Sequence, residues 1–418
     1  VEVLERFGVR YALTVPGESF LRLLDALCDS SIRLVATRHE RGVALMSEAV
    51  GTQTGMSTLC VETWAVGAAN LVIGLATARE DSIPPIAVVA QVEAPFRYRR
   101  AFEEVELAWF LAPGTTWSVE VPDGARIPEL VAEEFRRAVH GRPASVALTD
   151  LVVLFNQEIP EAEHVSPAPP SSAPRTELIP AMLVALRGAV RPLVAASGDV
   201  LQSEATEDVV QLGERFSVPL ITTSGHHFRV LGTVLIPVDV STKVVGQACP
   251  AGLAIAADVP ETIRALFAVA GDCPDRSSAN HGDRSAFDQA TPVPSATELG
   301  LGVDPAAVIA ALQRWLLPDA QVTSDAANFS GWLLRLPLPT AANLARAALG
   351  GGGVCRGSRH RCRAGVEERC ASRRPDRRRR RPDGWQRAGS RCTARADAQL
   401  HRVRQGCGRH DPPQCRLA

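Results

Sequence analysis

Three short stretches hold the side chains whose types and spacing could do chemistry: Val15-Pro16-Gly17-Glu18-Ser19-Phe20, Thr37-Arg38-His39-Glu40, and Glu62-Thr63-Trp64-Ala65-Val66-Gly67-Ala68-Ala69-Asn70. Among them Glu40, a charged residue at the carboxyl end of a predicted strand, is the first candidate. The bland alternative is a solvated Glu opening a helix, where the positive end of the helix favours it. A Pro-Gly turn alone says little. The three stretches gain weight together, because each reads as a strand end, a turn and a helix start, and the carboxyl ends of parallel strands line the crevice where ligands bind. Gln91, after a fourth strand, and Arg100-Ala101-Phe102-Glu103-Glu104-Val105 beyond it extend the series.

The elements that must position these residues alternate strictly. Tyr11 to Val15, Ile32 to Ala36, Ser57 to Glu62 and Ile86 to Ala90 read as strands. Phe20, Leu23, Leu24 and Leu27 recur at helical spacing, and helices are predicted over Glu40 to Thr52 and Gly67 to Arg79. Such alternation predicts an α/β fold with a parallel sheet and helices on both faces. A further strand over Ala144 to Leu154 closes a first domain at about residues 1–160. Pro, Ser and Ala dominate Val165 to Pro174, which reads as a linker. A shortened central α/β domain is predicted over 175–270, with strands at Pro192 to Ala196, Pro219 to Thr222 and Val234 to Val238 and a helix from Glu204 to Phe216. Gly271 to Ser295 reads as a second linker. The helix Pro305 to Trp315 and the strand Gln321 to Ser324 open a third domain, 296–340, that is not expected to continue; 341–418 reads as a disordered, Arg- and Cys-rich tail.

In order and spacing, the three stretches together with Gln91 and residues 100–105 resemble the amino-terminal, pyrimidine-binding domain of thiamine-diphosphate-dependent enzymes, with acetolactate synthase large subunits the nearest in pattern. The resemblance implies a thiamine-diphosphate-enzyme fold and a site between two subunits, hence a homodimer. It implies that Glu40 activates the cofactor by hydrogen-bonding its aminopyrimidine ring, with Pro16, Gly17, Thr63, Gly67 and Asn70 near the cofactor and Phe102 and Glu103 on the substrate side. The implied activity is decarboxylation and carboligation of 2-keto acids, with the cofactor as electron sink, as in branched-chain amino acid biosynthesis. Mg²⁺ is implied alongside. The alternatives are a related decarboxylase or oxidase on the same scaffold, or a non-catalytic remnant.

The departures from the family pattern are specific. Ala65-Val66-Gly67 stands where Gly-Pro-Gly is usual, so strain is expected in that turn, and Glu103 replaces a Gln, an extra carboxylate that would repel an anionic keto acid. In the centre, Arg191 to Gly198 and Leu235 to Val240 resemble the family's FAD-associated domain, yet Arg229 runs almost directly into Gly232, and FAD is not expected to be held. His226-His227 lacks a third ligand for a metal. Val322 to Trp332 opens as the diphosphate-binding domain does, but the 418 residues contain no Gly-Asp-Gly, the motif that with a later Asn holds Mg²⁺ and diphosphate. No metal ligand is therefore assigned.

Lys243 is the single Lys against many Arg, which suggests a GC-rich coding sequence. Back-translated with such codons and read one base later, Arg363 to Cys370, Arg377 to Arg381 and Val403 to Arg416 yield family-like helix and strand patterns, so the tail reads as a shifted frame. The Arg run has no interleaved aromatics to suit nucleic acid, and Cys355, Cys362 and Cys370 lack a zinc-like spacing. Gly350 to Gly353 lacks the Lys-Ser or Lys-Thr of a phosphate loop. With 46% apolar and 22% charged residues the composition is that of a globular protein; no apolar run would span a membrane and no secretory leader is seen, so the expectation is cytoplasmic, with neither nucleic acid nor membrane as partner.

Overall fold

The computed structural model describes residues 1–149, 171–222, 234–243, 245, 251–271, 305–315, 321–324 and 343–346. In the first domain, α1 (Glu2–Arg6) precedes β1 (Tyr11–Thr14), α2 (Leu21–Cys28), β2 (Arg33–Ala36), α3 (Glu40–Thr54), β3 (Leu59–Thr63), α4 (Trp64–Glu80) and β4 (Ile86–Ala90). Then come α5 (Leu107–Leu111), β5 (Trp117–Glu120), α6 (Ile127–Val139) and β6 (Val146–Thr149). The six strands form one sheet in the order β2-β1-β3-β4-β6-β5, every pair parallel. This is the α/β parallel-sheet architecture expected from the alternation.

Side chains alternate across the sheet with period two. Leu59, Val61, Ile86, Val88 and Leu148 join Leu24, Leu27, Leu130 and Val131 in one core, under α2 and α6. Cys60, Ala87, Val89 and Leu13 join Val43, Ala44, Leu71, Leu75, Leu107 and Leu111 in the other, under α3, α4 and α5. The central strands are therefore apolar on both faces, as strands buried between helix layers must be. Three helix boundaries matter for the site. His39 caps α3, its Nδ1 accepting from Arg41 N at 3.1 Å. Gly55 ends α3 in the left-handed region at φ 69°. Helix α4 begins at Trp64, earlier than the predicted Gly67, so Ala65 and Val66 lie within its first turn and the left-handed φ, 40°, falls on Trp64 instead.

Several elements differ from expectation. The closing strand is shorter than Ala144 to Leu154, covering Val146–Thr149, and its predicted remainder lies outside the described residues. Strand β5 was not anticipated: it sits at the sheet edge and pairs only with β6, so four residues suffice. In the central region α7 (Leu178–Gly188), β7 (Val194–Ala196), α8 (Gly198–Gln202), α9 (Thr206–Phe216) and β8 (Leu220–Thr222) are followed by β9 (Val238–Asp239), β10 (Ile255–Ala256) and α10 (Val259–Val269). The strand expected over Val234 to Val238 is shifted to Val238–Asp239, where it pairs with Ile255 and Ala256. Helices α7, α9 and α10 share a core of Ile179, Leu183, Leu212, Phe216, Ile263 and Leu266. The end of the first predicted linker is pinned to α10: Asp258 N donates to Ser172 O at 2.9 Å and Asp258 accepts from Ser172 N. The second predicted linker lies almost wholly outside the described residues.

Helix α11 (Pro305–Trp315) and β11 (Gln321–Ser324) stand where expected. The third unit nevertheless continues, because β12 (Asn343–Arg346) pairs parallel with β11. That pairing crosses the boundary drawn at residue 340. The rest of the predicted tail, including its Arg run and cysteines, lies outside the described residues.

Candidate active site

The three motif stretches meet at the carboxyl ends of β1 and β3 and the amino ends of α3 and α4. Glu40 is the first residue of α3, with its side chain 16% exposed. Its Oε2 accepts from Asn70 Nδ2 at 2.9 Å and lies 3.5 Å from His39 Nδ1. Asn70 reaches it from the second turn of α4 because the two helices pack closely. Gly74, one turn further on, presses against Ala44, one turn beyond Glu40; a Cβ on Gly74 would come within 2.4 Å of the Ala44 Cβ. Gly74 therefore sets the helix separation that the Glu40–Asn70 bond requires.

On the β1 side, Pro16 is exposed and Gly17 half-buried. A Cβ on Gly17 would stand 3.0 Å from the Phe20 ring and 3.2 Å from Thr63 Cβ, so the turn is closed against β3. Two hydrogen bonds fasten it: Ser19 Oγ and Thr63 Oγ1 are 2.7 Å apart, and Val15 N donates to Glu62 Oε1 at 2.9 Å. Gly67 lies over Glu62, where a Cβ would meet the Glu62 Cβ at 2.9 Å.

Phe102 and Glu103 also arrive here. The Phe102 ring, 76% exposed, meets Trp64 edge to face with centroids 6.1 Å apart. Glu103, at φ 58°, accepts from Val66 N at 3.4 Å, so its carboxylate faces the amino end of α4. Gln91 is fully buried and holds the following loop by donating to Val105 O at 2.7 Å and accepting from Val92 N at 2.8 Å.

Sequence reasoning passed over Glu62 as a mere strand end. The side chain is 0% exposed, and its Oε2 has no hydrogen-bond partner. Burial, opposed by the Val15 N–H and reinforced by the negative charge of Glu40, pushes its carboxyl up to about 9. The signal was available in the alternation Leu59-Cys60-Val61-Glu62, which sends Glu62 to the same buried face as Cys60. Glu48 is likewise pushed to about 9 by burial and the charge of Asp81, and burial raises Glu134 well above the ordinary carboxyl range. Among the described residues no group of three or more His, Cys, Asp or Glu is arranged to hold a metal, and no helix is long and apolar enough to cross a membrane. His226, His227 and Asp325 to Trp332 lie outside the described residues.

Residues 1–108 match the family model of the thiamine pyrophosphate enzyme N-terminal TPP binding domain. A "Probable acetolactate synthase large subunit" of Methanocaldococcus jannaschii is 31% identical over 230 residues, 53% of this chain and 39% of that protein. An acetolactate synthase of Mycobacterium bovis is 32% identical over 229 residues, again 53% of this chain and 37% of the relative. The chain thus matches about two fifths of the length of these relatives. Its fold is similar to that of benzoylformate decarboxylase from Polynucleobacter necessarius, with a TM-score of 0.67 at 14% identity over 82% of this chain and 72% of the other. A chain from Mycobacterium smegmatis described as a thiamin diphosphate-dependent enzyme gives a TM-score of 0.69 at 15% identity, over 82% and 75%. Residues 1–108 thus carry the pattern of a thiamine pyrophosphate enzyme N-terminal domain, and the chain is similar to acetolactate synthase large subunits over about half of its length.

Proposed function

We propose that residues 1–149 supply the pyrimidine half of a thiamine diphosphate site in a protein whose lineage reaction is decarboxylation and carboligation of 2-keto acids. The observation that carries this reading is the Glu40 carboxylate, held at 2.9 Å by Asn70 at the open end of β1 and β3. A carboxylate fixed by one side-chain donor keeps its other oxygen available to a ring N–H. The closed Gly17 turn fits as well, since any larger residue there would crowd Phe20 and Thr63. When bound, the cofactor supplies the electron sink that decarboxylation of a 2-keto acid requires.

In this reading Glu40 holds and returns a proton at the pyrimidine, Asn70 orients Glu40, and Pro16, Gly17, Thr63 and Gly67 shape the wall. Phe102 and Glu103 lie toward the substrate, and Glu103 adds negative charge where an anionic acid would arrive. The diphosphate half does not fit equally well. The 418 residues contain no Gly-Asp-Gly to place Mg²⁺, and each lost charge-assisted contact costs about 1.5–3 kcal/mol. Weak or absent turnover by this chain is therefore part of the proposal, together with the shifted-frame origin of the segment after Cys355. A homodimer in the cytoplasm completes the reading. It is supported by an exposed apolar set on the α3, α4 and α5 side, with Met46 at 42%, Val66 at 45%, Ile73 at 42% and Trp109 at 80% exposure.

Calorimetric titration with thiamine diphosphate and Mg²⁺ tests this on two proteins, the chain as it stands and a variant with its tail restored to the alternative frame. Binding by the restored variant alone supports the reading, and product analysis then separates carboligation from simple decarboxylation or oxidation. Micromolar binding by the unrestored chain would overturn the account of the tail. Failure of both would overturn the cofactor site.

A further inference from the structure

The buried carboxyl at the end of β3 has no role in the reading above. Glu62 shares the face of β3 that bears Cys60, so it lies between the sheet and the α3–α4 layer. Its two oxygens differ. Oε1 takes the Val15 N–H at 2.9 Å, the first backbone donor beyond β1 and the one immediately before Pro16-Gly17. Oε2 is sealed from solvent, has no partner, and would lie 3.6 Å from a Cβ on Gly67. An isolated carboxylate in such a place would be very costly, whereas a neutral acid loses far less on burial. One acceptor and one sealed oxygen beside a Gly is the arrangement a protonated carboxyl can occupy.

We propose that Glu62 is a positioning residue of the pocket, a neutral carboxylic acid that locks the Val15–Gly17 turn onto β3 and keeps a second negative charge away from Glu40. The turn depends on it because Val15 N, half-buried, would otherwise lose its partner beside Pro16, which has no N–H of its own. Glu40 depends on it because two ionised carboxylates facing one pocket repel each other and draw in water or a cation. The titratable groups that act on Glu62 are Glu40 from α3 and Cys60 from β3 itself; His39, the cap of α3, stands beyond Glu40 at 3.5 Å from its Oε2. Burial and the Glu40 charge both move Glu62 in the direction this role requires, to about 9 against an ordinary 4.5. That the pocket takes thiamine diphosphate rests on the proposed function; the neutral state of Glu62 does not.

Linkage fixes the sign of the test. Glu62 is protonated in the folded chain and ionised in the unfolded chain between pH 4.5 and about 9, so its stabilising share is complete below 4.5 and is lost as pH rises through that window. Glu62→Gln keeps the acceptor for Val15 N and cannot ionise. In urea unfolding of the full chain across this window, the folding equilibrium constant of Glu62→Gln should fall less steeply than that of the parent, by about tenfold per pH unit. Glu48→Gln provides the parallel for a buried acid outside the pocket.

Infrared difference spectra of the parent against Glu62→Gln, or against Glu62→Leu should the Gln variant not fold, should show the loss of one protonated carboxyl band at neutral pH. Identical pH slopes in parent and variant, or no such band, would overturn the proposal. Neither readout uses the cofactor. In the frame-restored protein, thiamine diphosphate affinity should fall as pH rises through about 9 in the parent and persist in Glu62→Gln. If no protein binds the cofactor while the pH slopes still differ, the functional reading fails and the neutral acid stands.

Discussion

Gly74→Ala separates the helix geometry of the pocket from its chemistry. In most exposed helix interiors this change stabilises by about 0.5–1 kcal/mol, because Gly loses more backbone freedom on folding. Here the new Cβ would meet the Ala44 Cβ at 2.4 Å, the Ala44 carbonyl carbon at 3.1 Å and Leu45 N at 3.2 Å. Ordinary contact begins near 3.4 Å, so α3 and α4 must part by about 1 Å. Overpacking of that kind costs about 1–3 kcal/mol, which outweighs the gain in helix propensity and leaves a net loss of about 1–2 kcal/mol. The separation acts one turn away, where Asn70 donates to Glu40 at 2.9 Å, and a shift of even half that size stretches the bond beyond ordinary hydrogen-bonding range. Urea unfolding at neutral pH measures the first effect. Calorimetric binding of thiamine diphosphate to the frame-restored protein measures the second, with an expected loss of about tenfold or more. A Gly74→Ala protein as stable as the parent, with unaltered affinity, would refute the claim that Ala44 and Gly74 set the distance between Glu40 and Asn70.

Other perturbations probe separate parts of the structure. Glu134, on α6, is fully buried with neither oxygen bonded, and burial raises it well above its ordinary 4.5. Glu134→Gln should therefore gain stability over the parent as pH rises above 4.5, with almost no difference below it, because only above 4.5 must folding force a proton onto the parent; a gain that does not change with pH in denaturant titrations would sink the reasoning. Asn70→Ala should weaken thiamine diphosphate binding by roughly tenfold while moving the urea midpoint little, and binding that is unchanged would remove Asn70 from the site. Gly17→Ala places a methyl at 3.0 Å from Phe20 and 3.2 Å from Thr63, and should cost about 1 kcal/mol of stability together with measurable affinity. Equal affinity in Gly17→Ala and the parent would show that the turn does not line the cofactor.

The local alternation in residues 11–90 was enough to anticipate the parallel sheet, because apolar strands followed by helices can bury both faces only in that layered form. The same alternation put the stretches 15–20, 37–40 and 62–70 at strand ends, while the choice of Pro16, Gly17, Glu40, Thr63, Gly67 and Asn70 within them rested on the family resemblance. Strand β5 was not legible: four residues at a sheet edge with one neighbour carry little periodic signal. Nor was β12, whose partner β11 lies about 20 residues upstream in the chain.

Only the tertiary structure decided which carboxyls lose their water. Glu62 and Glu134 look ordinary in the sequence, and their unusual protonation follows from what covers them, Gly67 and α4 over the one and the α6 core around the other. The start of α4 at Trp64 belongs to the same class. Local composition pointed to strain in Ala65 and Val66, but packing moved the left-handed residue to Trp64, where Phe102 meets its ring. Residue order sets which side chains can reach a strand end; the distance between two helices, and so whether Asn70 touches Glu40, depends on one missing methyl group at Gly74, where the chain packs against a helix some 30 residues away in sequence.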